Sequence, residues 1–179
     1  YIMIKPIDCN YSIEGKGQPL FLIHGIGAAR DVWRFMIPKL KKHFTVISYD
    51  LRGHGTSPIP SNEFELEDLV LDLEHLRDRL GFDKSHFVGH SLGGMIAPAY
   101  ALKFPEHVIS VGLLSTVAGR SEEDSQKVWN VIHEMEKNGI EKTLQTLTNR
   151  WFTDEFIKNN PDLVERRLKQ VVDTDPEVF

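Results

Sequence analysis

Gly89-His90-Ser91-Leu92-Gly93-Gly94 is the stretch on which the reading of this chain turns. It follows an apolar, strand-like run, Ser85 to Val88, and opens a helix-like run, Leu92 to Phe104. A strand-to-helix turn at the serine is so sharp that a β-carbon fits neither two places before it nor two places after it. The serine oxygen then projects from the top of a sheet, beside a helix N-terminus. An alcohol held there is suited to nucleophilic attack on a carbonyl. Gly94 adds a further small residue where helix and strand must pack closely. The bland alternative is a surface Ser-Gly loop, and the strand before and helix after weigh against it. Pro98 lies inside the helical run, where it removes one hydrogen bond at a cost of about 3 kcal/mol, so a kink is expected there.

Working outward, Leu20 to Ile23 and Phe44 to Tyr49 are continuous apolar runs, as in strands buried on both faces. Tyr1 to Lys5 and Ile7 to Ile13 are shorter β-type runs, and Glu14 to Pro19 is a turn by composition. Pro38 belongs in the first turn of a short helix ending near Lys42, and Asp50 to Pro60 is loop. Leu66, Leu69, Val70, Leu73, Leu76 and Leu80 form one helical stripe from Glu65 to Leu80, closed by Gly81. Val108 to Leu114 is a further apolar strand. Strands alternating with helices predict an α/β fold with a mostly parallel sheet of about six strands, covered on both faces. From Glu122 onward the pattern is helical only: Asp124 to Lys137, Ile140 to Phe152, and Asp154 to Val172 with an interruption near Pro161. The expected organisation is a core over 1–117 and a separate helical unit over 118–179.

Composition bounds the function classes. Hydrophobic residues at 41% and charged residues at 26% are ordinary globular values and argue against disorder. A net charge of −5 disfavours nucleic-acid and anionic-membrane surfaces. Cys9 is the only cysteine, which excludes an internal disulfide framework and a cysteine-based zinc site and fits a reducing cytoplasm. No apolar run approaches the roughly 18 residues that span a bilayer, and no signal-peptide pattern is present. No metal or cofactor is expected. The chain begins at Tyr1 rather than Met, consistent with a trimmed N-terminus.

Two further motifs carry chemistry. His24-Gly25-Ile26-Gly27 directly follows the strand Leu20 to Ile23. Acyl transfer builds negative charge on a carbonyl oxygen, and two backbone N–H groups aimed at it supply the largest single stabilisation. One is expected from Leu92 and the other from Ile26; the alternative is that these glycines only make a turn. Asp50-Leu51-Arg52-Gly53-His54-Gly55-Thr56-Ser57 offers a histidine as general base. His54 is set aside, because the base in this arrangement follows the serine in chain order. Asp50 and Arg52 are expected to pair and hold the loop, and His90 to pack beneath the turn.

Taken together, LFLIHGIG (20–27), VISYDLRGHGTS (46–57) and FVGHSLGGMIAPAYALKFPEHV (87–108) resemble the α/β-hydrolase superfamily over about residues 1–116. The helical tail looks like the cap this family inserts after its sixth strand. Within it, Asn149 to Thr153, Asn160 to Val164 and Thr174 to Glu177 are similar to the cap of 3-oxoadipate enol-lactonases. The resemblance implies a serine hydrolase with a Ser–acid–His triad, Ser91 its nucleophile, the Ile26 and Leu92 amides its oxyanion hole, and His24, Gly25, Gly89 and Gly93 supporting the motifs. The family's acid normally follows the seventh strand and its histidine the eighth. Here the sequence stops inside what looks like the cap, and its last histidine, His133, lies on a helix there. Both partners are therefore expected to be missing, and the chain to be a fragment.

The leading expectation is a cytoplasmic hydrolase of a small carboxylic ester or enol lactone in its complete form, feeble or inactive as this chain alone. Loss of triad members leaves roughly 10³–10⁴ over water. Trp151 and Phe152 are candidate pocket-wall residues, with packing inside the helical unit the favoured alternative. Runner-up readings are a carbon–carbon bond hydrolase of ring-cleavage products and a non-catalytic ligand-binding or interaction protein. Dehalogenases and epoxide hydrolases are disfavoured, because the resemblance places Asp at their elbow where this chain has Ser91. Val108 to Leu114 would form an open sheet edge, through which the chain could pair with another copy.

Overall fold

The computed structural model describes residues 5–60 and 62–178, with every side chain among them except those of Gln145 and Glu177. The chain forms two compact units that divide between Val117 and Ala118. The first unit runs β1 (Tyr11–Glu14), β2 (Gln18–Ile23), α1 (Ile37–Leu40), β3 (Phe44–Tyr49), α2 (Leu66–Arg79), β4 (Ser85–His90), α3 (Gly93–Lys103) and β5 (Val108–Leu114). These strands make one sheet in the order β1-β3-β2-β4-β5. β1 pairs antiparallel with β3, and all other pairs are parallel.

The sheet has five strands among the described residues, not six. Of the expected run Tyr1 to Lys5, residues 1–4 lie outside the described residues. The run Ile7 to Ile13 shrinks to a strand that begins at Tyr11. Side chains claim the amides upstream: Ile7 N–H donates to Asp72 Oδ1 at 2.8 Å and Asn10 N–H to Ser57 Oγ at 2.8 Å. An amide satisfied this way is lost to a strand ladder.

Alternation along the strands sorts the core into two layers. Phe21 and Ile23 of β2 point to one face with Ile47, Tyr49 and Phe87, and there meet Leu69, Leu73 and Leu76 of α2 and Ile96, Ala97 and Tyr100 of α3. Leu20 and Leu22 point to the other face with Val46, where Trp33, in the connection before α1, and Ile37 of α1 cover them. The expected leucine stripe of α2 is buried, and Glu65 and Asp68 cap this helix reciprocally. α3 continues through Pro98 to Lys103.

This layering fixes where a crevice must open. β2 and β4 are neighbours, with Ile23 opposite Gly89. The chain leaving β2 crosses to the α1 face, and the chain leaving β4 crosses to the α3 face. Neighbouring strands whose exits diverge form a topological switch point, and ligands of open α/β sheets bind outside the carboxyl ends of the strands there.

Among the described residues, β5 pairs with β4 along one side only, and Ile109 and Leu113 are 41% and 51% exposed. The second unit consists of α4 (Glu122–Asn138), α5 (Ile140–Trp151), α6 (Asp154–Asn159) and α7 (Pro161–Val172). Its own cluster joins Leu144, Leu147 and Val171 with Val131, Met135, Ile140 and Leu168. Gly139 at φ +84° separates α4 from α5, and the hydroxyls of Ser121 and Thr153 cap α4 and α6. Among the described residues, no helix is long and apolar enough to cross a membrane.

Candidate active site

Ser91 sits between β4 and α3 with φ +54°, in the left-handed region. A non-glycine residue held there costs on the order of 1–3 kcal/mol and persists only where its surroundings impose it. The surroundings are specific. Ser91 N–H donates to the Leu114 carbonyl at 3.0 Å, and the Ser91 carbonyl accepts from Gly94 N–H at 2.9 Å and from Thr116 Oγ1 at 2.9 Å. The end of β5 and the residues just after it thus grip both backbone groups of this one residue.

The flanking glycines are steric necessities. A β-carbon at Gly89 would overlap the Gly93 carbonyl, one at Gly93 the carbonyls of Ile23 and His24, and one at Gly94 the Thr116 side chain. Gly25 is close to the serine: a β-carbon there would stand 3.0 Å from Ser91 Cβ. The loop after β2 therefore lies directly against the β4–α3 turn, at the switch point. Leu92 is the N-cap of α3, where helix amides lack intrahelical acceptors. Ile26 is 37% exposed at the start of the β2 exit loop.

Behind this loop stand two buried histidines. His24 Nε2 accepts Leu51 N–H at 3.0 Å, so its Nδ1 carries the proton and donates to the Gly25 carbonyl at 2.8 Å. His54 Nε2 accepts Gly27 N–H at 3.0 Å, and its Nδ1–H donates to the Arg52 carbonyl at 2.9 Å. These tautomers follow from the hydrogen-bond network. The two rings meet edge to face with centroids 5.2 Å apart. His54 thus has both ring nitrogens engaged with the backbone.

Two expectations are corrected. Asp50 and Arg52 do not pair. Asp50 accepts Arg30 N–H at 2.7 Å and the Thr56 hydroxyl at 3.1 Å. Arg52 reaches instead to Asp72 on α2, with Nε and Nη2 each 2.6 Å from a carboxylate oxygen and both side chains buried. A buried guanidinium needs a bidentate carboxylate, and α2 supplies one beneath the loop. Burial is the largest single influence and opposes the charge on Arg52, but the hydrogen bonds to Asp72 together with the negative charges of Asp72 and Asp68 outweigh it and hold the pKa above the usual value. Asp72 is the residue that sequence reasoning missed; its signal was a carboxylate on the buried leucine stripe, beside Leu69, Leu73 and Leu76. His90 is exposed rather than packed beneath the turn, because Ser85, Phe87 and Gly89 hold the inward positions of β4. The contacts of Trp151 and Phe152 lie inside the helical unit, as the favoured alternative held, though outside its core cluster. Trp151 is 42% exposed with the Arg167 guanidinium 5.1 Å over its ring, and Phe152 stacks on Phe156.

Cys9 is no second nucleophile: burial pushes its thiol up to about 12. Among the described residues, no group of three or more His, Cys, Asp or Glu is placed to hold a metal ion.

A family model describing the α/β-hydrolase fold matches residues 18–167. The chain belongs to the α/β-hydrolase family. It is 31% identical over 165 residues to 3-oxoadipate enol-lactonase 2 of Acinetobacter baylyi, covering 90% of this chain and 61% of that protein. It is 36% identical over 117 residues to the soluble epoxide hydrolase of Corynebacterium sp. strain C12, covering 65% of this chain and 41% of that one. The solved enol-lactonase of Burkholderia xenovorans LB400 superposes with a TM-score of 0.86 at 27% identity, over 95% of this chain and 66% of that one. The chain thus spans less than two thirds of the length of these relatives.

Proposed function

We propose that this chain carries the nucleophile and the oxyanion hole of a serine hydrolase acting on a small carboxylic ester or enol lactone. The observation that carries the reading is Ser91, a non-glycine residue held at φ +54° at the switch point by glycines that admit no β-carbon. Ser91 Oγ attacks the carbonyl carbon and forms an acyl ester. The carbonyl oxygen takes up the charge and is met by the amides of Leu92 and Ile26. The leaving oxygen departs with a proton; in an enol lactone it stays tethered to the acyl group as the enol. Water then releases the acid and restores the serine.

A serine alcohol needs a general base. We assign that base and its carboxylate partner to the part of the relatives' length that this chain does not span, a reading supported by its covering 61% of the enol-lactonase it matches and by the engagement of the His24 and His54 ring nitrogens with backbone groups. Ester and lactone chemistry draws support from the match to an enol-lactonase over 90% of the chain. The match to an epoxide hydrolase is shorter, 65% of the chain, and the alcohol of Ser91 forms an acyl ester rather than the alkyl ester a carboxylate would form.

The test is covalent labelling of the whole protein, expressed from its complete reading frame, with a fluorophosphonate. Labelling that maps to Ser91 and disappears in Ser91→Ala supports the proposal, and an unlabelled wild-type protein overturns it. A panel of p-nitrophenyl esters, enol lactones and β-diketones then identifies the substrate class; turnover confined to the diketones would replace ester hydrolysis with carbon–carbon cleavage.

A further inference from the structure

We propose that His24 and His54 are positioning residues that together aim the Ile26 amide, each gripping the peptide plane on one side of Ile26. The inference rests on the reading of Ile26 as an oxyanion donor. A peptide unit is planar, so holding its carbonyl oxygen also sets the direction of its N–H. The unit that contains the Ile26 N–H also contains the Gly25 carbonyl, and that carbonyl accepts His24 Nδ1–H at 2.8 Å. The next unit contains the Gly27 N–H, which donates to His54 Nε2 at 3.0 Å.

The segment needs such holding. The ladders of β2 end at Ile23, so no strand pairing reaches Gly25 to Gly27. Glycine on either side of Ile26 leaves the backbone permissive, and Gly27 adopts φ +60°. Both grips are anchored in the loop after β3. Leu51 N–H fixes the tautomer of His24 at 3.0 Å, and the Arg52 carbonyl fixes that of His54 at 2.9 Å. Arg52 is itself locked to Asp72 of α2, 2.6 Å away. The contact between the rings, 5.2 Å between centroids, joins the two grips into one unit. A hydrogen bond to the Gly25 carbonyl also polarises the peptide and strengthens its N–H as a donor. His54 thus acts on the reaction without being its base.

His54 is tested with three variants, because one of them could fail to fold. His54→Phe keeps a ring without an acceptor. His54→Gln keeps an acceptor at the ε position. His54→Asn carries a similar amide that falls short of it. In the 179-residue chain, hydrogen exchange over residues 24–30 reads the grip directly, and protection of the Cys9 thiol reports folding. Exchange is expected to be slow in wild type and His54→Gln and fast in His54→Asn and His54→Phe. In the whole protein, kcat for an ester is expected to fall by about 10²-fold in His54→Asn and His54→Phe, as for a catalytic group misplaced by about an ångström. KM should change little, and His54→Gln should recover most of the rate. Equal exchange and equal rates in His54→Gln and His54→Asn would overturn the proposal, as would a wild-type rate in a folded His54→Phe. These outcomes are separate from failure of the hydrolase reading, which shows as an unlabelled wild-type protein.

Discussion

Each unit of this chain has a glycine-marked junction, and the two are glycine for different reasons. At the β4–α3 turn, Gly89 has φ in the ordinary range but no room: the Gly93 carbonyl occupies the place of its β-carbon. At the α4–α5 junction, Gly139 has open space around it, with nothing within 4 Å of a built β-carbon, but takes φ +84° and ψ 154°. The first glycine is demanded by packing and the second by backbone conformation. The residue between the crowded glycines is itself a non-glycine at positive φ. Ser91 keeps its side chain where glycine would relieve the strain, which is the pattern expected where strain serves a reactive group. The α4–α5 junction places its strain on glycine, where it costs least.

The strongest challenge to this contrast is Gly89→Ala. Its methyl meets backbone, not a flexible side chain, so neither rotamer change nor local adjustment accommodates it. The expected loss exceeds about 4 kcal/mol, in the range reserved for severe overpacking and strain. Cys9 is a convenient probe, since its thiol, pushed up to about 12 by burial in the first unit's core, reacts only when that core opens. Rapid reaction of Cys9 in Gly89→Ala at neutral pH is expected; a protected thiol and an unchanged melting temperature would show the turn to be softer than its geometry.

Leu144→Ala applies a cavity to the other side of the comparison. Leu144 is 2% exposed in the helical unit's own cluster, and its truncation is expected to cost about 2–5 kcal/mol. Amides of α5 and α7 should exchange faster by hydrogen-exchange mass spectrometry. Cys9, which is buried in the first unit's cluster, should stay protected. Exposure of Cys9 in step with those amides would show that the two units open together.

How much of this was legible beforehand follows from how local each cause is. β2, β3 and α2 could be read because their own residues carry the burial pattern: a continuous apolar run or a leucine stripe states its partner surface without naming it. Gly89 and Gly93 were legible for the same reason, since the clash each avoids lies within a few residues along the chain or at the neighbouring strand. The pairing of Arg52 was not legible. Asp50 is two residues away and Asp72 twenty, and charge sign alone does not say which way a side chain leaves the loop. The premature start expected for β1 failed similarly, because Asp72 and Ser57 take the amides of Ile7 and Asn10 from across the fold. His24 and His54 were visible as residues but not as a pair, because their roles depend on which backbone group each nitrogen meets.

Gly139→Ala probes the gentler junction. A methyl there touches nothing within 4 Å, so any destabilisation comes from φ and ψ alone. That region is close to glycine-only, and occupying it with alanine costs on the order of 1–3 kcal/mol. The junction can also yield in a way the β4–α3 turn cannot. α5 starts at Ile140 with no side-chain cap, so alanine can be accommodated by a shift of the junction, and the loss should fall toward the lower end. Hydrogen exchange of the α4 and α5 amides measures it, with the thiol of Cys9 as the internal reference. A loss as large as that of Gly89→Ala would mean that Gly139 is also held by packing, and the distinction between a glycine required for space and one required for conformation would collapse.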